Sequence, residues 1–162
     1  MDTIGEIGVI LDVHSVFLKE VLQVKVSTKG RYGLTIMMDL ALHYGKGPIS
    51  LKSIAERHDL SENYLEQLIA PLRNAGLVRS IRGAYGGYKL AKKPEKITVA
   101  EIMLILEGPI SSVDINEEQD PARRDLWRRV QKAIMEVLDN TTLADLVQYK
   151  DEDNQDPYMF YI

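Results

Sequence analysis

The chain has 162 residues, of which 45% are apolar and 27% charged, with a net charge of −4 and no cysteine. That length bounds one ordinary domain with a modest core, in a composition typical of soluble globular proteins. The lack of cysteine excludes disulfides, thiolate-held zinc, cysteine-ligated iron–sulfur clusters and thiol redox sensing. The charge is unevenly spread: 13 Lys/Arg against 6 Asp/Glu between Val24 and Lys96, then 6 against 14 from Ile97 to Ile162. A basic middle and an acidic end suit one segment for a polyanion and another for something else.

Residues 1–23 are apolar but lack the positive charge that opens a secretory signal, and Asp12, His14, Lys19 and Glu20 interrupt any membrane-length run. The stretch reads either as translated upstream sequence, with Val24 as the true start, or as an amphipathic leader helix. The segment 24–96 then carries three helical patterns. Leu34, Met37, Met38 and Ala41 recur at helical spacing before the break Gly45-Lys-Gly-Pro48. Ser50 is placed to cap a second helix, with Ile49 and Ile54 as staple and Leu51, Ile54 and Ala55 buried. Ser61 repeats the signature, with Leu65, Leu68, Ile69 and Leu72 as the apolar stripe. Two short capped helices across a tight turn make a helix-turn-helix.

The opposite face of the third helix carries Asn63, Glu66, Gln67 and Ala70. Small and amide side chains there suit base edges in the major groove: glutamine pairs with adenine, and glutamate accepts from the cytosine amino group. Glu66 is either such a selectivity element or merely solvent-facing. Leu77 to Ile81 reads as a strand, Arg82 to Gly87 as a glycine-rich turn and Tyr88 to Leu90 as the returning strand. Since a strand and not a helix follows the glycines, the pattern is a hairpin wing and not a phosphate-cradling loop. Arg79, Arg82 and Lys89 flank it, as contact with a DNA backbone requires.

In the segment 97–148, Thr98 and Glu101 form a capping box ahead of a helix to about Glu107. Gly108 to Gln119 is acidic and aperiodic. Asp120-Pro121 then opens a long helix from Ala122 to Asp139, with Trp127, Val130, Ile134 and Val137 in one stripe. That stripe is either internal core or, as we favour, a seam with a partner helix. Thr142 starts a last short helix through Val147. The remainder, 149–162, is an acidic spacer ending in Tyr158-Met-Phe-Tyr-Ile162. The fold class expected is mainly α with a small β-hairpin: a winged helix-turn-helix plus a long dimerisation helix.

Four ordered motifs, Ser27-Thr-Lys-Gly-Arg31-Tyr-Gly, Tyr64-Leu-Glu-Gln-Leu68, Leu72-Arg-Asn-Ala-Gly-Leu-Val78 and Arg82-Gly-Ala-Tyr-Gly-Gly-Tyr-Lys-Leu90, together resemble the Rrf2 family of bacterial winged-helix regulators, over residues 24 to about 148. The resemblance implies a cytoplasmic homodimer, joined through the long helix, on palindromic operators in double-stranded DNA. It maps reading-helix contacts onto Asn63, Glu66 and Gln67, the wing onto Arg82 to Gly87, and backbone contacts onto Thr28, Lys29 and Arg31. Tyr64, Arg73, Tyr85 and Gly86 complete the candidate DNA-binding set, and no cofactor or metal is expected.

Many members carry three cysteines between the fourth and long helices; this chain has none, so an iron–sulfur or nitric-oxide sensing role is not implied. The cysteine-free pattern, with Glu107-Gly-Pro-Ile110, the Trp127 helix and the terminal Ile162, is similar to members that repress sulfur-uptake and cysteine-synthesis genes. That resemblance implies a co-repressor partner, the pyridoxal-phosphate enzyme cysteine synthase (O-acetylserine thiol-lyase). This enzyme also holds serine acetyltransferase by a carboxy-terminal isoleucine, which makes Tyr161 and Ile162 the candidate partner-binding residues. The aromatic end is either displayed in this way or packed back on the protomer. Two rival functions remain: a regulator sensing a small molecule between the fourth and long helices, and a winged helix used only for protein contacts, which the basic charge disfavours. An enzyme is disfavoured because His14, His43 and His58 lie in separate segments without a nucleophile or metal-spacing companion.

Overall fold

The structure, a computed structural model, describes residues 27–109 and 119–148. The leader 1–23, the acidic connection 110–118 and the tail 149–162, including Tyr161 and Ile162, lie outside the described residues. The first helix, α1 (Thr28–Leu42), starts where Ser27 is extended and its hydroxyl accepts from the Gly30 N–H. Its buried face differs from the expected one. Gly33, Ile36, Met37, Leu40 and Ala41 are buried, while Leu34 and Met38 are only half-buried edges. The reason is tertiary: α1 is wrapped by several elements, which widens and turns the buried stripe.

The next two helices follow their caps. In α2 (Leu51–His58) the Ser50 hydroxyl accepts from the Ser53 N–H at 3.1 Å, and Leu51, Ile54 and Ala55 are buried. In α3 (Glu62–Asn74) Ser61 caps Tyr64, and Leu65, Leu68, Ile69 and Leu72 are buried. Between them Asp59 sits in the left-handed region at φ 51. Pro71 lies inside the last turn of α3. It has no N–H to donate to the Gln67 carbonyl, so α3 lacks that one bond of its ladder. Gly76, at φ 77, then turns the chain out of the helix.

Strand β1 (Val78–Ile81) pairs antiparallel with β2 (Gly87–Leu90), Val78 opposite Leu90 and Ile81 opposite Gly87. A single turn of 3-10 helix (Pro94–Lys96) leads into α4 (Val99–Glu107). Both halves of the capping box form, Glu101 N–H to Thr98 Oγ1 at 3.2 Å and Thr98 N–H to Glu101 Oε2 at 3.1 Å. The long helix α5 (Pro121–Asp139) is capped by Asp120, which accepts from the Arg123 N–H at 2.9 Å. A short α6 covers residues 143–148, and Thr142 and Asp145 cap each other reciprocally.

One cluster of buried side chains holds these elements together: Ile36, Met37 and Leu40 from α1, Ile54 from α2, Leu65, Leu68 and Leu72 from α3, Ile102 and Leu106 from α4, with Leu77, Ile97 and Leu143. Burying each such Leu or Ile stabilises the fold by about 1.5–3 kcal/mol. Leu143 N–H donates to the Ile97 carbonyl and Val99 N–H to the Thr141 carbonyl. The chain after α5 is thereby sewn back to the start of α4, so α4 and α6 complete the core of the winged head. In contrast, α5 buries no residue at all. No helix among the described residues is long and apolar enough to cross a membrane.

Candidate nucleic-acid interface

With its inner side closed by Leu65, Leu68, Ile69 and Leu72, α3 presents the rest of its surface outward. Asn63, Glu66 and Gln67 are all exposed, with Ala70 half-buried behind them. Their spacing of i, i+3, i+4 and i+7 sets them on one face. Arg73 is exposed one turn further on. Tyr64 is half-buried, packs on the core and meets the Tyr32 ring edge-on, centroids 5.9 Å apart. It therefore braces α3 against α1.

The wing projects beside this face. Its turn closes by a bond from the Gly86 N–H to the Gly83 carbonyl at 3.0 Å. A Cβ on Gly86 would collide with the Ile81 carbonyl oxygen, so this position is needed for the shape of the turn. Tyr85 at the tip is 95% exposed, and Arg79 and Arg82 are exposed along the same hairpin. Thr28, Lys29 and Arg31 lie exposed on the first turn of α1. Among the described residues, Lys29, Arg31, Arg73, Arg79, Arg82 and Lys89 take part in no ion pair. Their charge is therefore available to an external anion.

Two arrangements were not legible in the sequence. Ile49 and Tyr88 exchange backbone hydrogen bonds, at 2.9 and 2.7 Å, so the residue ahead of the α2 cap extends the hairpin by a third partner. The wing is thus tied to the helix-turn-helix. The second is a buried carboxylate. Asp39, 4% exposed, accepts from Arg57 Nε at 3.1 Å and Nη2 at 2.8 Å. His58 Nε2 and His43 Nδ1 stand 3.3 Å from its two oxygens. Both histidines are at helix ends and both come near the carboxylate that joins α2 to α1, His43 Nδ1 also lying 2.8 Å from the Asp39 backbone carbonyl. The tie is long-range, 18 residues from Asp39 to Arg57, and carries no local signature.

A helix-turn-helix with a hairpin wing, an exposed polar face on its second helix and exposed cations outside any ion pair defines a DNA-binding transcription regulator. The chain belongs to the Rrf2 family, whose model, described as an iron-dependent transcriptional regulator, matches residues 26–149. It is 62% identical over 138 residues to the HTH-type transcriptional regulator CymR of Bacillus subtilis, spanning 85% of this chain and 99% of that protein. The solved structure of that regulator matches with a TM-score of 0.73, over 77% of this chain and 97% of the other. The crystal structure of Staphylococcus aureus CymR, 56% identical, matches at 0.68 over 76% and 98%. Among the described residues no set of donors fits the iron that the family's description implies. The chain has no cysteine, and among the described residues no group of three or more His, Asp or Glu is placed to hold a metal.

Proposed function

We propose that the chain works as a homodimeric repressor of cysteine-metabolism genes, reading an inverted-repeat operator with Asn63, Glu66 and Gln67 and gripping its backbone with Thr28, Lys29, Arg31, Arg73 and the Arg82–Tyr85–Gly86 wing. The observation that carries this reading is the exposed polar face of α3, in a head whose α1 start and wing carry exposed cations outside any ion pair. The cysteine regulon is supported by likeness to a protein described as the global cysteine regulator of B. subtilis. The dimer is supported by α5, which carries Trp127, Val130, Ile134 and Val137 on a helix with no buried residue. Two heads on a two-fold axis fit half-sites one helical turn, or a multiple, apart.

Binding to inverted-repeat and random DNA, followed by anisotropy across a salt series, tests the assignment. Gln67→Ala is expected to change which base is preferred, at about 1–3 kcal/mol for a bidentate contact. Arg82→Ala is expected to weaken binding to every sequence and to reduce the salt dependence by roughly one contact per protomer. Equal losses on specific and random DNA for Gln67→Ala would remove it from the base-reading set. The co-repressor in this reading is cysteine synthase, gripped through Tyr161 and the terminal carboxylate of Ile162. Deleting Ile162 is expected to abolish that complex and spare DNA binding; an unchanged complex would move the contact elsewhere.

One observation favours a second reading, direct sensing of a small molecule. A half-open, apolar cavity of about 210 Å³ lies between α4 and α5, lined by Ala100, Leu104, Gly108, Pro109, Gln131 and Met135. Calorimetric titration of the dimer with O-acetylserine and with apolar metabolites separates the two readings. Heat lost on Leu104→Trp would favour the sensor.

A further inference from the structure

The last turn of α4 meets the start of α1 at the edge of the core, close behind the exposed Thr28, Lys29 and Arg31. Gly30 and Gly33, one turn apart on α1, let the two helices close up. A Cβ on Gly33 would overlap Leu106 Cδ1, and one on Gly30 would lie 2.6 Å from Glu107 Oε1 and 2.9 Å from Met103 Cε. At the rim of this seam the Ser27 hydroxyl donates to Glu107 Oε1 while accepting from the Gly30 N–H. One hydroxyl therefore links the carboxylate that ends α4 to the backbone that opens α1. The aligned peptide dipoles of α1 also favour a negative charge at that end. Gly108, at φ 77, and Pro109 follow directly and form a wall of the cavity against α5. The same short stretch of chain thus borders the cavity on one side and the first turn of α1 on the other.

We propose that Glu107 is a positioning residue for DNA binding: through Ser27 it holds the first turn of α1, with Lys29 and Arg31, where it reaches the sugar–phosphate backbone. With that turn taken as a phosphate contact, as proposed above, breaking the link removes affinity that is independent of sequence. Whatever displaces the end of α4 then acts on the DNA complex through this one hydroxyl.

The test measures affinity for inverted-repeat and random DNA over a salt series, using the full chain and Glu107→Ala, Glu107→Gln, Ser27→Ala, the Ser27/Glu107 double alanine variant and Lys29→Ala, with thermal unfolding recorded for each. Glu107→Ala is expected to weaken both DNAs about tenfold and to flatten the salt dependence by roughly one contact per protomer. Glu107→Gln keeps an acceptor for Ser27 and is expected to restore the slope. The double variant is expected to lose no more than the worse single variant, because both act through one contact. A lower melting temperature with an unchanged salt slope for Glu107→Ala would reduce its role to packing and overturn the proposal. Should that variant fail to fold, Ser27→Ala carries the same comparison. An unchanged slope for Lys29→Ala would overturn instead the reading of α1 as a phosphate contact. A reduced slope for Lys29→Ala beside an unchanged one for Glu107→Ala would overturn the Glu107 role alone.

Discussion

Asp39 is the residue on which the orientation of the reading head turns. Its carboxylate is buried, and the guanidinium of Arg57 supplies two of its hydrogen bonds while a third guanidinium nitrogen reaches the Ser53 hydroxyl. Removing Arg57 leaves the buried Asp39 carboxyl with only His43 and His58 near it, and since Arg57 is itself partly exposed, Arg57→Ala is expected to destabilise the fold by about 1–2 kcal/mol. Denaturant titration checks the loss. Arg57→Lys is expected to recover only part of it, since an ammonium cannot reproduce the forked contact. A change below 0.5 kcal/mol, the ordinary range for surface substitutions, would show that the histidines suffice. The same reasoning separates Tyr64 from its neighbours on α3: Asn63, Glu66 and Gln67 can be truncated without disturbing the core, whereas Tyr64 cannot.

The elements divide into a head that closes on itself and a helix that does not. Within one protomer α5 packs only lightly, and Val137 is 65% exposed. Ile134→Glu is therefore expected to split the proposed dimer while leaving the winged head folded, seen as monomers in sedimentation with helical content largely kept. Loss of all structure would make the stripe internal core. The caps of the two C-terminal helices add an acid dependence. Asp120 is held below the ordinary carboxylate range mainly by the Arg123 N–H, and Asp145 by the backbone and hydroxyl of Thr142. A carboxyl with a lowered folded-state value contributes stability above its unfolded value and loses it as pH falls through the folded one. α5 and α6 are thus expected to fray in acid before α2 and α3, whose caps Ser50 and Ser61 do not titrate. Asp120→Asn, which keeps an acceptor at the cap, is expected to remove its share of that dependence in circular dichroism. Ser50, Ser61, Thr98, Asp120 and Thr142 were all legible as caps because capping is chemistry between residues three apart. The Ser27 cap was not, since two glycines obscure the periodicity that follows it, and those glycines make sense only once α4 lies against them. Ile36 and Leu40 were missed for a similar reason: how much of a central helix is buried depends on how many neighbours it has.

At the scale of the whole molecule, the candidate DNA-contacting residues come from three places in the chain: the start of α1, the face of α3 and the wing. Their common frame could not be read from the sequence, because the bonds that create it, Ile49 with Tyr88 and Arg57 with Asp39, join distant positions. The tie between Ile49 and the wing has a further consequence. With the hairpin bonded to the residue ahead of α2, an effector is expected to have little freedom to alter which bases the head favours. In the proposed dimer it is expected to change how firmly, and at what separation, two heads engage the duplex. Regulation then acts as a volume control on a fixed message. Across a panel of operator variants, partner or effector is expected to scale all affinities by one factor and preserve their rank order; a reshuffled ranking would show that the head itself deforms.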